Sequence, residues 1–493
     1  MGKQLPKNWV ETELGEITTK PQYGWTSKAG NIGEIKYLRT TDLSKGKVNW
    51  DTVPFCIDIP DDVSKYQVEK NDILISRAGS VGLSYRIEIC PDKAVFASYL
   101  IRFKPLINAK LIEYYLQSST YWIAISDVSA GIAVQNINAP KLSSLKFPLP
   151  PLAEQNRIVA KLDTLFAQLE TIKASMAKIP VLLKEFRQQV LTQAVTGKLT
   201  EEWRKGKELE NGLKSILENR NKYYENLSVE NKQKGLKAPK KLDYSDFEMF
   251  ELSSSFKLPE YWAKSNLKNI ADLITDGEHA TPKRTENGYY LLSARNVQNG
   301  YISLTNVDYV PKEEYDRIKN RCNPEHNDIL ISCSGTVGRV SVVPENLQFV
   351  MVRSAALIKF QSNTEISKFI EYTLRSDFGQ SQINKLQKST AQANLFLAPI
   401  GKIVVPIPSI KEQQEIVSRV ESLFAKADAI EQQYQSLKEK IDTLPQALLH
   451  KAFKGELTKQ LESDGDAREL LQQIQELKGA TGKKVKSKTT KKT

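Results

Sequence analysis

The hexapeptide NDILIS stands at residues 71–76 and again at 327–332, at the centre of a duplication that runs through nearly the whole chain. LPKNWV from Leu5 is answered by LPEYWA from Leu258, NDILISRAGSVG by NDILISCSGTVG, and KFPLPPLAEQNRIVAKLDTLFAQLE from Lys146 by KIVVPIPSIKEQQEIVSRVESLFAKAD from Lys402. TGKLT at Thr196 meets KGELT at Lys454, and Leu213 and Ile216 meet Leu471 and Ile474. The offset moves only from 253 residues at Leu5/Leu258 to 258 at Thr196/Lys454, so each half reads as one complete module. A chain of 493 residues is in any case too long for a single core.

Two kinds of sequence alternate within a module. Short apolar runs such as DILIS, SYLIRF and AALIKF, separated by Gly, Pro, Asn and Asp, have the grammar of strands and turns, and a helix-like stretch follows in each copy. This predicts two α+β globules, at 1–150 and 257–408. Ile73, Leu74 and Ile75 are expected to be core.

The other kind is strictly periodic. Ile158, Leu162, Leu165, Leu169, Ile172, Met176, Ile179, Leu183, Phe186 and Val190 are spaced by four and three, and the second copy keeps step through Ile416, Val420, Leu423, Ala427, Ile430, Tyr434, Leu437, Ile441, Leu444 and Leu448. That is the seam of a helix that lies along another helix. The spacing predicts rods at 151–200 and 409–457 that bury each other as an antiparallel coiled coil. Pro180 and Pro445 fall inside the seams and predict a kink or break in each rod, and Gly197 and Gly455 end them. A rod of this length would span about 50 Å, and one turn of B-DNA is about 34 Å, so a split DNA site with a gap suits the geometry. A bivalent protein scaffold without sequence preference suits it equally.

The remaining segments are a charged linker at 201–256, read as a solvated spacer with a helix around LKSILENRNKYYE, and a C-terminal segment at 458–493. Residues 478–493 carry seven lysines and no acid, out of a formal net charge of +12. Such a tail is either a solubilising appendage or an arm that grips phosphates. No run of 18 apolar residues and no leader with a cleavage site is present, and four cysteines make neither a disulfide framework nor a metal set, which predicts a cytoplasmic, non-membrane protein. Catalytic motifs are missing too: there is no Asp/Asn-Pro-Pro-aromatic sequence, no phosphate loop, and only His279, His326 and His450 for metal or triad chemistry. No chemistry is expected from this chain alone.

The order LPxxW, globule, NDILIS with Gly-x-Val-Gly, PLPPLAEQ with its helix and TGKLT, followed by the whole series again with PIPSIKEQ, resembles the specificity subunits of type I restriction-modification systems. The resemblance covers nearly the whole chain. It implies two target recognition domains in tandem, each reading one half of a bipartite site in double-stranded DNA, with paired helices fixing the gap. It also implies two methyltransferase subunits docked on the helices, and restriction subunits joined to that core. The complex would use S-adenosylmethionine, and ATP with Mg for restriction, while the chain itself binds no cofactor or metal.

Candidate DNA-reading residues lie near the turns of each globule. In the first they are Tyr23, Trp25 and Lys28 of KPQYGWTSKAG, Arg39 and Thr40 of YLRTTDL, and Arg77 and Ser80 after the first NDILIS. In the second they are His279, Thr281, Lys283 and Arg284 of TDGEHATPKR, Arg295 and Asn296 in the place of Arg39 and Thr40, and Ser334, Thr336 and Arg339 after the second NDILIS. Arginine can bond guanine and asparagine adenine through two parallel hydrogen bonds. Packing on the domain surface or contact with phosphate are the competing roles for each. Ile158, Leu162, Leu165, Leu169, Ile416, Val420, Leu423 and Ile430 are expected at the coil or subunit interface. The LPxxW residues Leu5, Pro6, Trp9, Leu258, Pro259 and Trp262 are read as packing at the domain edge.

Overall fold

The computed structural model describes residues 5–43, 47–129, 136–239, 258–387 and 394–489, with no side chains for 129 and 481–489. The chain divides into two compact units, Met1–Ala177 with Gln435–Thr493, and Lys178–Tyr434, so each unit holds one globule and a portion of each rod. Among the described residues no helix is long and apolar enough to cross a membrane.

The same antiparallel sheet is built twice. Its strand order is Gln22–Tyr23, Leu100–Phe103, Ile73–Ser76, Ser84–Arg86 in the first unit and Leu273–Asp276, Ala355–Lys359, Ile329–Ser332, Val340–Val342 in the second. One face packs on a parallel strand pair, Lys36–Leu38 with Ala94–Phe96 and Tyr289–Leu292 with Phe349–Met351, through Leu74 in one core and Leu330 in the other. The opposite face packs on helices: Ile73 and Ile75 lie with Leu111 and Tyr115, and Ile329 and Ile331 with Phe369 and Ile370. Both faces of the NDILIS strand are therefore covered, which explains an uninterrupted apolar run in place of alternation.

Its first two letters have their own physics. Asn71 and Asn327 have φ of 72° and 70°, the left-handed region that Asn tolerates better than most residues. The next carboxylate ties the turn and holds a buried cation: Asp72 accepts from the Glu69 N–H at 3.0 Å and pairs with Arg102 at 3.3 Å, while Asp328 accepts from the Glu325 N–H and the Lys359 ammonium, both at 2.7 Å. Arg102 and Lys359 are two different positions of the neighbouring strand, so the frame keeps the ion pair while the cation moves.

The rods pair in opposite directions. In the first unit Ile158 and Leu162, near the start of Leu152–Met176, share a core with Leu449 and Phe453 at the end of Ile410–Phe453; in the second, Val190 and Ala194, near the end of Ile179–Val195, share one with Ile416 and Val420. Arg187 adds contacts to Asp428 and Glu431 at 2.6 and 2.8 Å. The first rod breaks at Ala177–Lys178, with Pro180 placed in the first turn of the new helix where its missing N–H costs nothing. The expected break at Pro445 does not occur, and Ile410–Phe453 runs through it as one helix. Ile158, Leu162, Leu169, Ile416 and Val420 are buried and Leu165 and Leu423 half-buried, but Ile430 is 49% exposed. Ile172, Phe186, Leu437 and Leu444 are open as well. A straight helix drifts about 20° per seven residues from a 3.5-residue repeat, which turns seam positions outward.

The ends of the two repeats are exchanged. Trp9 donates its indole N–H to Glu154 at 2.8 Å, and Glu154 also accepts from Thr458 of the second repeat's GELT segment and from Gln460 just after it, at 3.0 and 2.9 Å. Trp262 donates to Glu412 at 2.9 Å, and Glu412 accepts from Thr200 of the first repeat's GKLT segment at 2.7 Å and from Arg204 at 2.6 Å. Gly197 and Gly455 have positive φ and lie so close to Pro259 and Pro6 that an added Cβ would stand 2.6 and 2.3 Å from the ring. LPxxW, the Glu of LAEQ or KEQ, and G-x-LT are thus one interlocked contact, more specific than edge packing.

The linker is likewise no solvated spacer where it is described. Gly212–Gln233 is a helix whose Ile216 is fully buried in the second unit, with Arg220 donating to the Asn269 carbonyl at 2.8 Å. Its repeat partner, Ala467–Thr489, buries Ile474 in the first unit, and Lys478, at the position of Arg220, donates to the carbonyls of Gly15, Glu16 and Thr18 at 2.7, 3.3 and 2.9 Å. Lys478 therefore caps a turn and is no part of a free tail. Lys478→Ala is expected to cost about 1–3 kcal/mol by removing the charged donor that three part-buried carbonyls share, whereas deleting 480–493 leaves the thermal midpoint unchanged. If that deletion lowers the midpoint as much as Lys478→Ala does, the division drawn at Lys478 is wrong.

Candidate nucleic-acid interface

The two repeats can be compared place by place, and most of the readers expected from sequence do not fall on equivalent places. Trp25 donates its backbone N–H to the Phe96 carbonyl at 2.8 Å as Glu278 does to the Met351 carbonyl at 2.8 Å, which makes Tyr23 the equivalent of Asp276 and Gly24 that of Gly277. Only glycine fits there, since a Cβ would lie 2.2 Å from the Ala97 oxygen or 2.1 Å from the Met351 oxygen. Arg77 and Cys333 are equivalent too, each donating its N–H to the strand-end carbonyl of Tyr99 or Ser354.

In the first globule Tyr23 and Arg77 come together, the guanidinium 4.8 Å from the ring centre, with Arg77 Nε 3.4 Å from the Asn136 side-chain oxygen. The Tyr23 hydroxyl accepts from the Ala139 N–H at 3.0 Å. Lys28 and Ser80 are exposed. Trp25 is not a free reader: its indole N–H bonds the Asp58 carbonyl at 2.5 Å and its ring leans on Tyr66 at 5.3 Å. Thr40 is no reader either, because its hydroxyl is buried inside the turn Thr40–Leu43. Arg39 is half-exposed and forked on Asp42, with Nε at 3.1 Å and Nη2 at 2.9 Å, and Asp42 raises the guanidinium pKa further by that bond.

The second globule corrects an alignment. Asp42 accepts from the Arg39 N–H at 2.8 Å, and Asn296 from the Ser293 N–H at 3.0 Å, so Asn296 stands in the place of Asp42 and Arg295 in that of Thr41. Matching the two arginines by letter shifted the register by two. Asn296 is fully buried and spends its amide on Ser293 and on the Ser303 carbonyl at 2.9 Å, so it reads nothing. Arg295 and Arg284 both bind Asp308, at 2.8 and 3.1 Å. His279 lies 2.9 Å from Asp276, which also meets Arg321 at 3.4 Å. Thr281 and Lys283 are exposed, the latter donating its backbone N–H to Glu314 at 3.3 Å. In the turn after the second NDILIS, Ser334 is held by a bridge to Asn394, Thr336 is exposed, and Arg339 is half-buried, with its N–H on the Ser332 hydroxyl at 2.9 Å. Cys333 is buried, which pushes its thiol up to about 12 and leaves it unreactive.

The residues that sequence reasoning missed are the acids: Asp276, Glu278 and Asp308, each holding one or two cations of this face, with Arg317 on Glu278 at 2.8 Å. Their arginine partners lie up to 45 residues away in sequence, as Asp276 and Arg321 do, so apart from His279 beside Asp276 no local spacing announces them. Among the described residues no group of three or more His, Cys, Asp or Glu could hold a metal ion.

A family model for the "Type I restriction modification DNA specificity domain" matches residues 6–180 and 259–439, one match per repeat. The chain is 31% identical over 382 residues to the type I restriction enzyme EcoBI specificity subunit of Escherichia coli, covering 75% of this chain and 72% of that one. It is 28% identical over 512 aligned positions to the EcoKI specificity subunit of Escherichia coli strain K12, covering 98% of both. The fold matches the crystal structure of the HsdS subunit from Thermoanaerobacter tengcongensis with a TM-score of 0.58 at 16% identity, over 92% of this chain and 98% of that one. With the family domain matched once in each of two like sheets, the chain belongs to the type I restriction-modification DNA specificity family.

Proposed function

We propose that the chain reads a bipartite, gapped site in double-stranded DNA, one half with each globule, and performs no chemistry itself. The observation that carries this is the repeated frame with changed contents. Tyr23, Trp25, Arg39, Thr41 and Arg77 in one globule are Asp276, Glu278, Ser293, Arg295 and Cys333 at the same places in the other. A scaffold binding two copies of one partner would repeat the presented side chains along with the frame; two readers of different half-sites change them.

Methyl transfer and cleavage fall to partners, namely two methyltransferase subunits using S-adenosylmethionine and restriction subunits using ATP with Mg, in the cytoplasm. The half-exposed apolar side chains of the rods, Ile172, Phe186, Ile430, Leu437 and Leu444, are where the methyltransferase subunits dock. The lysines of 483–493 grip phosphates, so deleting 480–493 weakens binding to all duplexes alike and flattens its salt dependence. An unchanged salt slope would assign that tail to solvent.

The test is to co-express the chain with its methyltransferase subunits and map adenine methylation by long-read sequencing, expecting one gapped motif. Exchanging the reading segment between Thr18 and Pro105 for that of another such domain, with Trp9, Glu154 and the 455–460 segment left in place, should rewrite one half of the motif only. Methylation without a gapped motif favours the scaffold; a change in both halves contradicts independent readers.

A further inference from the structure

Arg284 and Arg295 reach one carboxylate from two directions. Asp308 opens the strand Asp308–Val310, which pairs antiparallel with Tyr289–Leu292 so that Asp308 faces Leu291. Arg295 sits in the short 3-10 turn Ala294–Asn296 just after that partner strand, and Arg284 precedes Thr285, whose N–H bonds the Tyr309 carbonyl at 3.0 Å. All three side chains thus rise from backbone fixed by ladder or turn hydrogen bonds. Arg284 donates only its Nε to Asp308 Oδ2 at 3.1 Å, and Arg295 makes an ion pair with one Nη2 2.8 Å from Oδ1. Each guanidinium has five N–H donors, so most of each fork is left over, and Arg284 keeps both terminal nitrogens.

This is a poor device for stability. Exposed ion pairs contribute little, and these arginines are 51% and 52% exposed. One acid shared by two cations also leaves a net charge of +1, where the first globule has a neutral, fully forked Arg39–Asp42 pair. What the shared carboxylate, only 28% exposed, does achieve is to tether two long side chains by one nitrogen each, which leaves their other donors uncommitted. A fork held in place with free terminal nitrogens is the group that bonds guanine O6 and N7 in the major groove.

We propose that Arg284 and Arg295 are specificity-determining residues of the second globule that read guanine, with Asp308 as the positioning residue that aims them. This rests on the proposed reading of DNA by each globule. The acid is then required although it repels phosphate: removing it raises attraction to DNA and lowers discrimination.

The test uses the chain assembled with its methyltransferase subunits, cognate duplexes, and duplexes randomised in one half-site at a time. Asp308→Asn is expected to lower the ratio of cognate to randomised binding by about 5- to 150-fold, the worth of one good guanine contact, with binding to fully random duplex equal or tighter. The loss concerns one half-site only. Arg284→Lys and Arg295→Lys keep the charge and lose the fork, so each should relax a guanine position while leaving the salt slope unchanged. These two substitutions are at exposed positions and remain informative if Asp308→Asn fails to fold. The inference is overturned if Asp308→Asn tightens all duplexes by one factor, or if both lysine variants retain full discrimination, as phosphate contacts would. A wild-type complex without any half-site preference instead overturns the reading on which the inference rests.

Discussion

Replacing Glu412 by alanine is expected to cost the second unit about 3–5 kcal/mol, the usual consequence of removing one member of a buried ion pair and leaving the other behind. The Glu412 side chain is fully buried and that of Arg204 only 9% exposed, and Arg204 would keep the Thr200 hydroxyl and the Gly197 carbonyl but no counter-charge. The Trp262 indole N–H would lose its acceptor as well. For a unit of this size the midpoint of thermal unfolding should fall by roughly 6–20 °C. Glu154→Ala removes the same letter of the same motif with a smaller effect, about 1–3 kcal/mol, because Trp9, Thr458 and Gln460 are neutral donors. Scanning calorimetry of the two variants measures the difference. Equal losses, or a larger loss for Glu154→Ala, would show that the charge on Arg204 does not dominate this contact.

That asymmetry bears on what could be read from letters alone. The repeat, the alternation of globule and rod and the buried NDILIS strand were legible because each depends on patterns within a few dozen residues: apolar runs, a four-three spacing, glycine and proline at the ends. The interlock of Trp262, Glu412 and Thr200 was not, because its members stand 150 and 212 residues apart and only the fold brings them together. The linker helix carried a visible clue, the match of Ile216 and Leu213 to Ile474 and Leu471, yet its charge favoured a solvated reading. Tertiary burial of one isoleucine and the Arg220 contact outweighed that composition.

Several candidate readers were misread for related reasons. Turn segments guided the choice, and Tyr23, Arg284 and Arg295 are exposed members of them, with Arg77 half-buried against the Tyr23 ring. Residue type could not tell a reader from a cap. Asn296 and Asp42 do the same work, holding a turn closed through a backbone N–H, and only the hydrogen bonds reveal that the arginines beside them are not equivalent. Trp25 shows the converse: an aromatic in a polar, glycine-containing segment looks free, but its N–H and ring are both engaged.

Lengthening the rods is expected to change the gap and nothing else. Four residues inserted near Ile172 add one helical turn and about 6 Å of rise, or at most about 2 base pairs at 3.4 Å per step. Inserted in Leu152–Met176 alone, the turn has no partner in Ile410–Phe453, so the seam slips and part of the length is lost at the break after Met176; methylation should then be weak. A matching insertion near Leu437, about as far along the long helix from Leu449 as Ile172 is from Ile158, restores the register of the antiparallel pair. Both sites carry half-exposed side chains, so neither insertion opens a packed core. The doubly lengthened chain should therefore methylate strongly at the same two half-sites with one or two base pairs more between them, and no longer at the original spacing. Methylation mapping reads this directly. Retention of the original gap would mean that the helices do not measure distance, and altered half-site letters would mean that the globules do not read independently of the rods that carry them.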